Sequence, residues 1–389
     1  MDSLGQVWSF IYNFFPNTAD WLRGVMAGWG WDGLLVDLGM MVVSAALIVV
    51  FILLVMLFIT LMERKIIGRM QDRYGPNRAD IQSLLTIGLG EKRLKKIPGS
   101  RFLPKLRLYG IIQPLADAVK FLIKEDITPR AADRWVHLTA PIVVTFAALL
   151  IWAVIPFGKG MVGTDLNIGI LYILSVSSLA TIAILMAGWG ANNKYALLGA
   201  LRGVAQMISY EVPMALSILT VVLLSGSMSM MKIAEAQGAV GGMGWFIFYL
   251  PVGLVAFLIY FICAVAELNR APFDIPEGES EIVAGFHIEY SGLKWGLFYL
   301  GEYFNALAVS AIVTTLFLGG WQGPLLPPYV WFWGKAAVVV FILLWLRATL
   351  PRFRVDHLMD FAWRFLLPVS LVNIFVTAVG IVVFQAVGK

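Results

Sequence analysis

The sequence predicts an all-α polytopic membrane protein with about eight transmembrane helices, an interfacial amphipathic helix, and both termini on the outer, periplasmic side. Three observations carry this. First, 60% of the 389 residues are hydrophobic and only 14% are charged, so most of the surface is unsuited to water. Second, the apolar residues gather into runs close to the ~20 residues that cross a ~30 Å hydrocarbon layer at ~1.5 Å per residue. Third, when the connecting loops are assigned to alternate sides, one side holds 24 of the 29 lysines and arginines, and the positive-inside rule makes that side cytoplasmic.

The elements follow in order. Residues 1–36 mix aromatics with scattered charges and lack the basic, apolar, small-residue order of a cleaved signal peptide. They read as an amphipathic lead-in. A single helical membrane domain, 37–389, follows. Its first span has no charge between Asp37 and Glu63, and the long cytoplasmic connection 63–134 comes next. Within it, 91–107 concentrates Lys92, Arg93, Lys95, Lys96, Arg101, Lys105 and Arg107 around Pro98 and Gly99, a basic loop suited to anionic lipid or a partner. Residues 109–125 then set Ile111, Leu115, Val119 and Leu122 against Asp117, Lys120 and Lys124 at helical spacing, which predicts the interfacial helix.

Spans two and three fall near 135–157 and 168–190, bounded by Arg134, Lys159, Asp165 and Lys194. The fourth, about 206–226, carries Glu211 near its start. The fifth, about 245–267, ends on Glu267, and the sixth, about 295–318, includes Glu302. The seventh, about 331–347, is the shortest, and the eighth covers about 364–386. No internal repeat stands out, which weighs against a fold built from two inverted halves.

Several function classes are poorly supported. Cys263 is alone, and His137, His287 and His357 are the only histidines, too few ligands for an iron–sulfur cluster or structural zinc. Two of the histidines could in principle hold a haem, but His287 and His357 lie in or beside polar segments. Neither G-x-G-x-x-G after a strand nor G-x-x-x-x-G-K-[ST] occurs, so no nucleotide site is expected. The net charge of +5 reflects basic residues bordering apolar spans, which suits orientation in a membrane rather than binding of nucleic acid. Any electrons used here come from a partner, and no cofactor is expected on this chain alone.

A carboxylate inside a membrane helix is expensive and is tolerated where it faces a hydrated interior, a partner or its own proton. Glu211, Glu267 and Glu302 are therefore candidates, beside the bland reading of protonated or ion-paired packing groups. Glu63 begins Glu63-Arg64-Lys65 at the cytoplasmic end of span one, followed by Arg69, Gln71, Arg73, Gly75, Pro76 and Asn77: an acid at membrane depth with a basic rim. After span five, Glu267, Arg270, Asp274, Glu277, Glu279, Glu281 and Glu289 crowd one segment with His287. Pro272 and Pro276 remove donors and predict a loop packed on or into the cytoplasmic side. Crowded acids raise one another's pKa, so some hold protons near neutrality. A solvated acidic loop is the competing reading; its place between apolar spans favours proton relay or redox coupling.

The motifs ERK at 63–65, RYGPN at 73–77, QPLADA at 113–118, KED at 124–126, GALRGVAQMISYEV at 199–212, AELNRAPFDIPEGESE at 266–281, GFHIEYSG at 285–292 and EYFN at 302–305 carry a resemblance. In order and topology they are similar to the quinone-module membrane subunit family of respiratory complex I (NADH:quinone oxidoreductase), called H in bacteria and 1 in mitochondria. The resemblance runs from span one to span eight, and the acidic loop is its most specific motif. It implies a subunit that is not catalytic in isolation, joins the redox arm to the membrane arm, and encloses a quinone cavity with peripheral subunits. The implied substrate is ubiquinone or menaquinone, the implied partners are other complex I subunits and lipid, and the implied location is the bacterial inner membrane.

Carried over by motif, Glu63, Asp117, Arg202, Glu211, Glu267, Arg270, Asp274, Glu277, Glu279, Glu281, Glu289 and Glu302 belong to an acidic route that couples quinone chemistry to proton pumping. Arg64, Arg347 and Arg352 border the quinone channel. Two departures stand out: residues 78–108 occupy a place where many members have only a few residues, and Val355 with His357 replaces an aromatic-Asp-Gln pattern. The nearest rival is the membrane subunit of a related energy-converting hydrogenase, against which the full acidic loop and the ERK mouth argue. A stand-alone proton or cation transporter would use buried carboxylates too, but the missing repeats and long polar loop speak against it. A purely structural anchor would not explain carboxylates in three spans.

Overall fold

A computed structural model describes residues 14–28, 32–77, 110–238, 244–324 and 326–387. Among these residues the architecture is all-helical, and the only β pairing is an isolated bridge between Gly158 and Met161. Seven helices are long and apolar enough to cross a membrane. The basic stretch 91–107 and the insertion 78–108 lie outside the described residues.

Helix α1 (Phe14–Gly28) lies within the expected lead-in and packs on α2 (Gly33–Met70). The 38-residue α2 runs past the expected span end. Glu63, Arg64 and Lys65 therefore sit on a continuous helix, and Arg69 falls in its last turn, where the carbonyl-rich end favours a cation. Leu34, Leu38, Val42, Phe51, Leu54 and Phe58 of α2 are exposed, as a helix facing hydrocarbon requires. The amphipathic segment forms α3 (Gln113–Ile123), whose Pro114 occupies the first turn, where a missing N–H costs nothing. Its small side packs inward through Ala116, while Leu115, Leu122 and Ile123 stay exposed.

Helix α4 (Arg134–Leu150) is capped by Asp133, whose carboxylate accepts from Trp135 N and Val136 N. It packs beside α5 (Gly169–Gly190). Helix α6 (Lys194–Ser225) begins twelve residues before the expected span, because Asn193 caps it and Gly226 ends it with φ +68. Glu211 is thereby moved from near a helix start to mid-helix. A short α7 (Met230–Ala236) leads to α8 (Val252–Glu267).

The α8 helix is shorter than the span expected from 245–267. A 3-10 turn at Phe246–Phe248 and Pro251 take up the first part; a proline lacks the donor and restrains the residue before it. Sixteen residues span roughly 24 Å. After the one-turn α9 (Glu279–Ile282), α10 (Gly292–Phe317) is the central helix, with nearly every side chain from Tyr303 to Phe317 buried. Helix α11 (Pro328–Thr349) packs on α10 and α2. The last expected span starts earlier, at α12 (Val355–Asp360), and continues through a π-helical turn (Phe361–Leu366) into α13 (Leu367–Val387).

Lys335, counted with the outer-side basic residues near the start of the expected seventh span, is buried in α11. Its ammonium donates to the carbonyls of Leu318, Gly320 and Gln322 at 2.6, 3.1 and 2.6 Å, and lies 4.5 Å from the Trp245 ring centroid.

Candidate functional site

Four charged side chains from distant parts of the chain meet at one end of the bundle. Glu63 of α2 is buried, and its two oxygens have separate partners: Oε1 takes Arg347 Nη1 at 2.5 Å, and Oε2 takes the Tyr303 hydroxyl at 2.5 Å. Arg270, also buried, donates from Nε to Glu302 Oε1 at 2.7 Å and sits 3.6 Å from Glu63. Arg347 lies 3.7 Å from Glu302. Two guanidinium groups thus balance two carboxylates, the arrangement that makes buried charge tolerable. Arg270 also lies over the Tyr303 ring, 4.4 Å from its centroid.

The loop after α8 supplies Arg270, and local packing fixes it. Gln206 of α6 donates to the carbonyls of Ala266 and Phe273 at 2.7 and 2.8 Å. Phe353 N donates to the Pro272 carbonyl. At Gly285, φ is +61 and an added Cβ would fall 1.7 Å from the Pro276 carbonyl oxygen, so only glycine lets the loop close there. These contacts turn an acidic segment into a fixed wall.

The same wall carries two further carboxylates. Asp274 pairs with Arg352 at 2.5 Å, and its Oδ1 is buried with no hydrogen-bond partner among the described residues. Burial pushes its pKa up to about 6, against the opposing pull of Arg352 and Arg347. Glu277 is pushed up to about 8 by burial and by the nearby charges of Glu302 and Asp274, with Arg347 and Arg270 opposing. Its carboxylate lies 4.0 Å from His287 Nδ1. Burying a carboxylate beside other negative charge favours the protonated form.

The remaining expected residues fall into separate places. Glu211 accepts from Ser178 at 2.6 Å. Glu267 lies near it, beside Ser177, on an internal cavity of about 40 Å³ that Asn305 of α10 also lines. Its lining is mostly apolar, with Ser177, Tyr260, Glu267 and Asn305 as the polar members, and a space of that size is large enough for water. Asn305 is one turn from Glu302 on α10.

Arg64 and Asp117 form a half-exposed pair at 2.5 Å at the rim. Arg202 pairs with Glu281 at 2.8 Å on the surface, and Glu289 accepts from Asn193 at 2.7 Å. Glu279 begins α9, and its side chain lies outside the described residues. The expected acidic set is thus one buried core with four separate outlying groups.

Sequence reasoning missed Tyr299, Tyr303, Ser177 and Ser178. Tyr299 donates to the Tyr303 hydroxyl at 3.0 Å, extending the cluster toward Arg64. An aromatic residue in an apolar helix gives no sequence signal that its hydroxyl is in use. The EYFN motif contained Tyr303 without pointing to it. Among the described residues, no three His, Cys, Asp or Glu side chains converge as a metal centre requires.

Comparison with known proteins accords with the motifs. Residues 43–378 match the NADH dehydrogenase family. The chain is 50% identical over 357 residues to the H subunit of NADH-quinone oxidoreductase from Dehalococcoides mccartyi strain CBDB1, covering 91% of this chain and 88% of that one. It is 46% identical to the protein of the same name from Geobacillus kaustophilus, covering 92% and 97%. It is 44% identical to that of Syntrophotalea carbinolica, covering 90% and 98%. With seven apolar helices long enough to span a membrane and these matches along most of its length, the chain is a multi-pass membrane protein that belongs to the NADH dehydrogenase family.

Proposed function

We propose that this chain is the H-type membrane subunit of a proton-pumping NADH:quinone oxidoreductase, where it forms part of the quinone cavity and the acidic route between the redox arm and the membrane arm. The observation that carries the reading is the buried cluster of Glu63, Arg270, Glu302 and Arg347, with Asp274 and Glu277 raised toward neutrality beside it. Such a cluster is balanced as it stands and responds to any charge placed near it, because low dielectric strengthens coupling. Reduction of a quinone in the poorly hydrated cavity changes the local charge. The carboxylates respond by taking or releasing protons, and water in the cavity shared by Asn305 and Glu267 carries the response toward Glu211.

On this reading the chain resides in the bacterial inner membrane with both termini outside, and α8 with the turn before it supplies the eighth crossing. Ubiquinone or menaquinone is the substrate, the other complex I subunits are the partners, and Arg64, Arg347 and Arg352 border the channel. Lipid contacts the exposed apolar faces of α2 and α3. Arg202, Glu281 and Glu289 mark the outer edge of the route.

The test is quinone-dependent NADH oxidation and proton pumping in membranes carrying Glu302→Gln or Glu211→Gln, after assembly of the complex is verified. Loss of turnover with assembly intact supports the route. Normal oxidation and pumping in both variants would make these carboxylates packing groups and end the proposal.

A further inference from the structure

The mouth and the buried cluster are joined by two tyrosine hydroxyls on one helix. Tyr299 and Tyr303 lie one turn apart on α10, with ring centroids 4.6 Å apart. Tyr303 donates to Glu63, and Tyr299 donates to Tyr303. On its other side Tyr299 meets Arg64, whose side chain is 44% exposed and paired with Asp117. The charged and titratable groups facing Tyr299 are Arg64 and Glu63 from α2 and Tyr303 and Glu302 from its own helix; Asp117 of α3 stands behind Arg64.

The direction of each hydrogen bond is forced by chemistry. An ionised carboxylate only accepts, so the single proton of Tyr303 points at Glu63. Tyr303 is then left with lone pairs toward Tyr299, and the proton between the two hydroxyls must come from Tyr299. A guanidinium only donates, so Arg64 points a hydrogen at the Tyr299 oxygen. Every donor from the rim to Glu63 therefore points the same way. We infer that Tyr299 is the hydroxyl through which a proton reaches Glu63 from water at the Arg64–Asp117 rim. The inference rests on the acidic route proposed above and supplies its point of proton uptake.

The transfer balances without any redox step. The Tyr303 O–H bond breaks as a Glu63 O–H forms, the Tyr299 O–H breaks as a Tyr303 O–H forms, and Tyr299 takes one proton from rim water. Arg64 stabilises the negative charge that develops on the Tyr299 oxygen meanwhile. The result is a neutral Glu63, which leaves Arg270 and Arg347 sharing Glu302 alone.

The competing role is packing, since Tyr299 also stacks on Trp295 with centroids 5.4 Å apart. Tyr299→Phe separates the two: it keeps the ring and removes only the oxygen. In the assembled complex in native membranes, Tyr299→Phe is expected to slow quinone-dependent turnover roughly a hundredfold, at the low end of what a positioned proton donor supplies, with KM for a short-chain quinone unchanged. Wild-type turnover in Tyr299→Phe, or a loss confined to KM, overturns the relay.

Glu63→Gln is measured in parallel. If it is slow while Tyr299→Phe is normal, the relay is wrong and the acidic route stands; if both are normal, both fall. Should Tyr299→Phe fail to assemble, a fluorinated tyrosine placed at 299 gives the answer. Fluorination makes the phenol more acidic, so the alkaline limb of the turnover–pH profile is expected to move to lower pH. An unmoved limb overturns the proposal.

Discussion

Arg347 and Glu63 stand 284 positions apart in the chain and meet through Nη1 and Oε1 at 2.5 Å. The contact ties α11 to α2 at the end of the bundle where Arg270 and Glu302 complete the charge balance. Two spans that otherwise present mostly apolar surface to one another are thus registered by a single ion pair. Removal of the arginine leaves the buried Glu63 carboxylate short of a partner.

The first prediction concerns that pair. Arg347→Met leaves Glu63 and Glu302 to share Arg270, and breaking a buried pair from one side costs about 3–5 kcal/mol. Assembled complex carrying Arg347→Met should melt at a lower temperature than wild type. Addition of Glu63→Gln should recover part of the loss, since the double variant keeps the Arg270–Glu302 pair balanced. Strictly additive losses in the double-mutant cycle would show that the two side chains do not interact energetically.

A second prediction follows from Glu277. Its pKa is raised by burial and by neighbouring negative charge from 4.5 to about 8. Between those values the folded protein holds a proton that the unfolded chain releases. The folded state binds more protons across this window, so stability falls as pH rises through it. An infrared band of a protonated carboxyl should be present at pH 7, should fade as the pH passes 8, and should be missing in Glu277→Gln. Persistence of the band in that variant would place the proton on another residue.

These two sites show what the sequence does and does not expose. Pro272 and Pro276 announce the loop, and the charge-free run from Asp37 to Glu63 announces α2, because backbone donors and transfer energies are local properties. The pairing of Glu63 with Arg347 is not local. Nor is the burial of Lys335, because the carbonyls that hold it lie thirteen to seventeen residues away. Tyr299 and Tyr303 were hidden for the same reason: their hydroxyls have meaning only beside Glu63 and Arg64. Helix starts such as 194–205 and 355–363 escape an apolar window although they run without a break into the spans.

Gly285 provides a third prediction, one about the wall itself. With φ at +61 and the Pro276 carbonyl oxygen 1.7 Å from an added Cβ, Gly285→Ala forces the loop to open, at a cost of roughly 3 kcal/mol or more. Assembled complex should be scarce in membranes carrying it. Gly334→Ala is the control: nothing lies within 4 Å of its Cβ, and alanine favours a helix interior over glycine. Equal assembly of the two variants would mean that the loop does not need the close approach at 285.

Lys335 yields the last prediction because its role separates stability from turnover. Left-handed backbone at Gly319 and Gly320, with φ +75 and +54, shapes the turn whose carbonyls at 318, 320 and 322 surround the ammonium. Every acceptor the ammonium meets there is a backbone carbonyl. Lys335→Met removes the donor and strands one buried and two part-buried carbonyls, and an orphaned buried group costs about 1–3 kcal/mol. The melting temperature of the assembled complex should fall clearly. Turnover per assembled complex should hold, since α10 separates this turn from Glu302 by sixteen residues or more, roughly 24 Å of helix. Lys335→Arg should recover little, because a planar guanidinium does not direct its donors as a tetrahedral ammonium does. A Lys335→Met complex that melts normally would show that the three contacts contribute nothing net; one that melts normally but turns over slowly would move Lys335 from the scaffold into the coupling machinery.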